Sequence, residues 1–246
     1  MQIHHTKGIV LRTVKYGETS IITTVYTELF GKQSYIVKGV RQLSKKKAQQ
    51  LNYFQPAAVL DLQAYHNPLK NLQFIKELQW GKMYKNIFGN VVCNTIATYI
   101  IELLNNSLQQ PETNVELFYF TENILLLLDE NNKNIVANIA PYFTLKLLAL
   151  LGFEMRGEYA DGTPFLDLKE GIFCHAIPRH LNYLSDEEAK ITSTFLHVHR
   201  FEELANIKIN GTARSKLLQE YQQFLQLHIP DFQEIKSLKI LQEIFS

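Results

Sequence analysis

Residues that build covalent or metal-held frameworks are scarce in this sequence: its 246 residues include two cysteines, one tryptophan and three methionines. Cys93 and Cys174 sit in no spacing motif, so free thiols in a reducing compartment are expected rather than a disulfide framework. Long hydrophobic runs are also missing. The longest aliphatic stretches, 124–128 and 147–151, are far short of the ~20 residues that span a bilayer, so no membrane anchor is expected. The opening Met-Gln-Ile-His-His has no basic region followed by an apolar stretch and a cleavage site, which makes the cytoplasm the expected compartment. Absent too are the Gly-x-x-x-x-Gly-Lys-Ser/Thr phosphate loop, the Gly-x-Ser-x-Gly elbow, the His-Glu-x-x-His helix and the Gly-x-Gly-x-x-Gly turn. Their absence argues against an ATPase, hydrolase or dehydrogenase, and no catalytic residue is assigned.

No metal site is expected either. His4-His5, Cys174-His175 and His197-x-His199 are the histidine groupings. Residues two apart on a helix project about 200° apart, and adjacent residues make poor paired ligands, so all three read as surface or packing histidines. Asp161 and Asp167 have no carboxylate partner at a useful spacing and are expected in solvated turns. A metal-dependent nuclease would need such a carboxylate cluster.

The charge, by contrast, is informative. The net charge of +1 conceals two halves: residues 1–80 hold eleven Lys/Arg against four Asp/Glu, a net +7, and the remainder carries −6. A basic half of this kind suits a polyanion, since Lys and Arg displace counterions from phosphates.

The sequence period changes near residue 80. Before it, Leu60, Leu62 and Ala64 alternate with Asp61, Gln63 and Tyr65, as a half-buried strand requires. Five strands are expected near 6–13, 18–26, 32–38, 57–65 and 71–78, divided by Tyr16-Gly17, Phe30-Gly31, the Lys-rich 41–50 connection and Asn67-Pro68. Five short strands with a long polar middle connection fit a small Greek-key barrel of the OB type. After Trp80 the pattern becomes helical, with helices near 84–108, 115–130, 135–152, 185–199, 217–228 and 234–245. Ser185-Asp-Glu-Glu188 reads as a capping box. The stretch 135–152 is apolar on nearly all sides and should be central in its bundle. The expected architecture is α+β: an OB-type barrel over 1–80, then an α-helical domain over 81–246 with an irregular excursion at about 153–180.

A charge run such as Lys45-Lys46-Lys47 is more often a solvated loop than a site. Here it lies beside Lys38 and Arg41, with Arg12, Lys15 and Tyr16 on the preceding hairpin, and the clustering points to a phosphate track. Tyr16, at a turn, is the first choice for base stacking among Tyr16, Tyr26, Tyr35, Tyr53 and Phe54, because alternation turns about half of them into the barrel. Tyr35 is expected in the core. An OB-type protein that binds RNA or serves translation would present the same basic barrel.

Gly8-Ile-Val-Leu-Arg12, Tyr16-Gly-Glu18, Gly31-Lys32 and Val37-Lys-Gly-Val-Arg41 together resemble the opening of the bacterial recombination mediator family RecO. The stretch from Phe143 to Gly152-Phe153 is similar to that family's central helix ending in Leu-Gly-aromatic, and Arg214-Ser-Lys216 resembles its C-terminal segment. The resemblance implies a non-enzymatic, nucleoid-associated protein. It would bind single- and double-stranded DNA, anneal complementary strands, contact the acidic C-terminal tail of single-strand-binding protein, and act with RecR to load RecA. It favours Arg12, Lys38 and Arg41 as DNA contacts, with Lys15 and Lys45 to Lys47 added on charge. Lys146 is a candidate for the partner tail. Many family members carry a four-cysteine zinc site after the Leu-Gly-aromatic end, where this sequence keeps only Cys174. No zinc is therefore expected, and Phe165, Leu166, Ile172 and Phe173 would supply the packing there.

Overall fold

A computed structural model describes residues 2–41 and 50–245. The strands are β1 (Gln2–Tyr16), β2 (Ser20–Thr27), β3 (Gly31–Val37), β4 (Val59–His66), β5 (Gln73–Trp80), β6 (Phe165–Asp167), β7 (Ile172–Cys174) and β8 (Tyr183–Leu184). The helices are α1 (Val91–Ser107), α2 (Val115–Asp129), α3 (Lys133–Leu150), α4 (Asp186–Leu196), α5 (Gly211–His228) and α6 (Ser237–Phe245). They form two compact units, Met1–Lys85 with Leu108–Leu126, and Asn86–Ser107 with Leu127–Ser246.

The first unit is a closed five-stranded barrel in the order β1-β2-β3-β5-β4, of the expected OB type. Closure depends on β1, which at 15 residues is long enough to serve two partners. Its first half, from Gln2 to Ile9, pairs with β4, and its second half, from Gly8 to Tyr16, pairs with β2. The handover falls at Gly8, where a Cβ would stand 2.6 Å from Val25 Cγ1, followed by a register shift between Val10 and Arg12 that sharpens the bend. Leu60, Leu62 and Ala64 face inward with Val10, Val25, Tyr35 and Ala58, as the alternation predicts. Tyr26 is also buried, and its hydroxyl donates to the Asn114 carbonyl at 2.8 Å. The first part of α2 is fastened by Glu122, which is nearly buried and pairs with Lys7 at 3.1 Å. Desolvation pulls the Lys7 ammonium down, but the hydrogen bond and charge of Glu122 outweigh it and hold the group above its ordinary value.

In the second unit α3 packs against α1, α4, α5 and a 3-10 turn at Phe201–Asn206, which makes it central as its all-round apolarity predicts. Its end explains the Leu-Gly-aromatic motif. Gly152 adopts φ +88°, and the Gly152 and Phe153 N–H groups donate to the carbonyls of Ala149 and Leu148 at 3.0 and 2.9 Å. Those are the two bonds of a Schellman cap. Arg214, nearly buried, donates to the Ile209 carbonyl at 2.9 Å, and Lys216 pairs with Glu188 on α4 at 2.5 Å. Two of the three residues of the Arg-Ser-Lys motif therefore make contacts within the helical unit.

Three sequence expectations need correction. Residues 153–180 are not wholly irregular, because β6 pairs with both β7 and β8 in a small antiparallel sheet. Its packing comes from Leu166 and Phe173 and from Phe165, whose ring meets Tyr183 edge-on with centroids 6.0 Å apart, whereas Ile172 is 40% exposed. Asp167 is not a solvated turn residue. It accepts from the Lys169 and Glu170 N–H groups at 2.8 and 3.1 Å and meets His180 at 3.2 Å. Finally, Ser185 forms no capping box: its hydroxyl donates to the Asp186 carboxylate at 3.0 Å, and Glu188 is drawn to Lys216.

Candidate nucleic-acid interface

The second half of β1 carries Arg12, Lys15 and Tyr16 outward, all three exposed, with Tyr16 at 51%. The chain reverses over residues 17–19, where Gly17 takes φ +57°. Arg41 returns to this hairpin, its N–H donating to the Thr19 carbonyl at 2.9 Å and its guanidinium to the Gly17 carbonyl at 3.1 Å. The structure thus brings Arg41 to the Tyr16 turn, as clustering in sequence suggests. Lys38, the first residue after β3, is exposed, and its ammonium lies 5.7 Å from the Phe74 ring centroid. Lys45, Lys46 and Lys47 lie outside the described residues. Lys146 leans back over the Tyr142 ring on its own helix, 5.9 Å from the centroid.

Beside Lys38 the barrel wall opens into a groove of about 740 Å³. Val37, Ile75 and Leu78 form part of its apolar lining, and Lys38, Lys76 and Glu77 carry charge around it. Tyr53 and Trp80, both half-buried and lining the groove, pack with ring centroids 4.7 Å apart and planes tilted by 31°. Lys76 meets Glu77 at 4.0 Å with both side chains solvated, a pair worth little against a phosphate competitor. The arrangement is an aromatic surface edged by ammonium groups, the combination that takes a base against a ring and its phosphate against a cation.

Sequence reasoning misses Trp80 and Lys76. Trp80 marks only the point where the strand period ends, although a lone tryptophan closing a strand of a basic barrel is a usable signal. Of the five stacking candidates, Tyr53 and Phe54 line the groove, and Tyr53 is the half-buried one of the two. Tyr26, Tyr35 and Phe54 are buried.

The family model described as Recombination protein O N terminal matches residues 1–84, and that described as Recombination protein O C terminal matches residues 90–239. The chain belongs to the RecO family. Proteins named DNA repair protein RecO from Flavobacterium psychrophilum and Flavobacterium johnsoniae are each 31% identical to it over 100% of both chains. One of the same name from Christiangramia forsetii is 30% identical over 98% of each. Membership in this DNA repair family does not favour the RNA-binding or translation-associated alternative. The zinc site of many RecO proteins does not fit this chain. Between 155 and 180 the one thiol is Cys174, whose Sγ lies 3.3 Å from the Ala176 carbonyl, and among the described residues no group of three or more His, Cys, Asp or Glu could hold a metal ion. Nor is any helix among them long and apolar enough to cross a membrane.

Proposed function

We propose that the barrel binds DNA along the groove and the adjacent hairpin, and that the protein acts without catalysis as a recombination mediator. It would anneal complementary strands and help load RecA onto DNA coated by single-strand-binding protein, with RecR and the acidic tail of single-strand-binding protein as direct partners. The cytoplasmic nucleoid is where this work would be done. The observation that carries the reading is the Tyr53–Trp80 pair lining a groove edged by Lys38 and Lys76. Bases stack on the rings and phosphates exchange their counterions for ammonium groups, so two strands are gathered and pair without nucleotide hydrolysis.

Fluorescence-detected annealing of two complementary oligonucleotides, each coated with single-strand-binding protein, tests this reading. Annealing should proceed with the intact coating protein and fall sharply when its acidic tail is deleted. A folded protein that anneals neither coated nor bare strands would remove the mediator reading. The phosphate assignment has its own measurement. Lys38→Ala with Arg41→Ala should weaken binding to unrelated sequences alike. The slope of log affinity against log salt on single strands should shrink by about 0.7 for each phosphate no longer neutralised. Unchanged affinity in the double variant would take both residues out of the interface.

A further inference from the structure

The loop joining β4 to β5 presents an apolar side chain that nothing in the barrel covers. Leu69 is 92% exposed at its tip, between the exposed Pro68 and Lys70. Single exposed leucines are common and carry no meaning alone. What sets this one apart is how firmly the loop beneath it is built. Gln73, 2% exposed at the start of β5, accepts from the Asn67 N–H at 3.0 Å and donates to the Asn67 and Lys70 carbonyls at 2.8 and 2.6 Å. The Asn67 side chain accepts from the Leu69 N–H at 2.9 Å, and the Lys70 N–H donates to the Asn67 carbonyl at 3.0 Å. A buried amide spends its hydrogen-bonding capacity on holding the tip in one shape, so little ordering entropy remains to be lost when Leu69 is buried by a partner.

From Asn67 to Ile75 the chain holds Lys70 and no carboxylate, and Lys76 beyond it is paired with Glu77, so the tip itself offers one cation beside an apolar side chain and suits an anion with an apolar face. In OB-type barrels the β4–β5 loop is one of the two that meet oligonucleotides, and leucine and proline are among the side chains that insert between base steps. We propose that the β4–β5 tip is a wedge: Leu69 enters between neighbouring bases of bound DNA while Lys70 takes an adjacent phosphate. The proposal rests on the DNA-binding reading above and adds to it a local unstacking of the strand. Unstacked bases are free to find complementary partners, so the wedge would serve annealing directly.

Titration of the full chain into single-stranded and duplex oligonucleotides carrying 2-aminopurine separates the possibilities, because that base brightens when unstacked. The wild-type protein should raise the emission at saturation. Leu69→Ala should bind about tenfold more weakly by anisotropy, as expected when one leucine is no longer buried against the bases, and give no rise even when saturated. Leu69→Met should restore both, and the thermal melt of each variant should match wild type because the side chain packs against nothing. Full brightening with Leu69→Ala at saturation would overturn the wedge. So would a Leu69→Ala protein with normal DNA behaviour that has lost a protein partner, which would make the tip a protein-docking element. If Leu69→Ala behaves as wild type while Trp80→Ala fails to bind, the wedge falls and the groove stands. If the wild-type chain binds no DNA, both fall together.

Discussion

Trp80→Ala is expected to weaken single-stranded DNA binding by about tenfold to a hundredfold, since stacking of a base on an aromatic ring contributes about 1–3 kcal/mol. The salt slope should stay near that of wild type, because every phosphate keeps its cation. Trp80 also packs against the barrel core, so the variant will be less stable, and affinity must be read where denaturant titration shows it folded. Trp80→Phe keeps a ring and should recover most of the affinity. The chain's single tryptophan supplies a direct readout in the unmodified protein: saturating single-stranded DNA should quench its emission. If anisotropy shows DNA bound while tryptophan emission does not change, no base sits on Trp80 and the groove is not the strand's path.

Gly31→Ala is expected to be the most damaging single methyl group in the barrel unit. Gly31 holds φ +61°, and a Cβ there would lie 2.2 Å from the Glu112 carbonyl oxygen and 2.7 Å from its carbon. Left-handed backbone alone costs a non-glycine residue about 1–2 kcal/mol. Displacing the backbone of the 108–126 segment should bring the total to roughly 3 kcal/mol or more, a fall in Tm of about 6–12 °C for a chain of this size. Gly17→Ala is the matched control, because Gly17 has φ +57° and open space where the Cβ would go. It should cost only the conformational term. Equal losses in the two variants would show that the packing of Glu112 against Gly31 contributes nothing to stability.

The barrel is legible in the sequence where the signal is local. Alternation through Leu60, Leu62 and Ala64 places β4 and its inward face, because the period of two is a property of the strand itself. The turns at Gly17 and Gly31 are legible for the same reason, since both need a left-handed backbone that glycine adopts freely. The double pairing of β1 is not legible. Nothing local in a run of alternating residues states which strands lie on either side or that one strand will serve both ends of a barrel. Ser185 shows the converse failure. Its capping pattern is intact in sequence, yet Lys216, far along the chain, draws off the glutamate that would have completed the box.

Candidate interface residues divide along the same line. Arg12, Lys15, Lys38 and Arg41 follow from charge and turn position, both local. That Arg41 folds onto the Gly17 carbonyl, and that Tyr53 from the β3–β4 connection meets Trp80 from β5, depends on closure of long stretches of chain. The sequence by itself determined a basic strand-forming half, an acidic helical half, the inward faces of the strands and the capped end of the central helix. These follow from charge, side-chain period and backbone preference within a few residues. Only the tertiary structure decided which aromatics share a groove with lysines, which glycine faces another segment's backbone, and that Leu69 is left uncovered on a braced loop. Each of those is set by what long-range packing brings alongside a residue, and no local pattern encodes it.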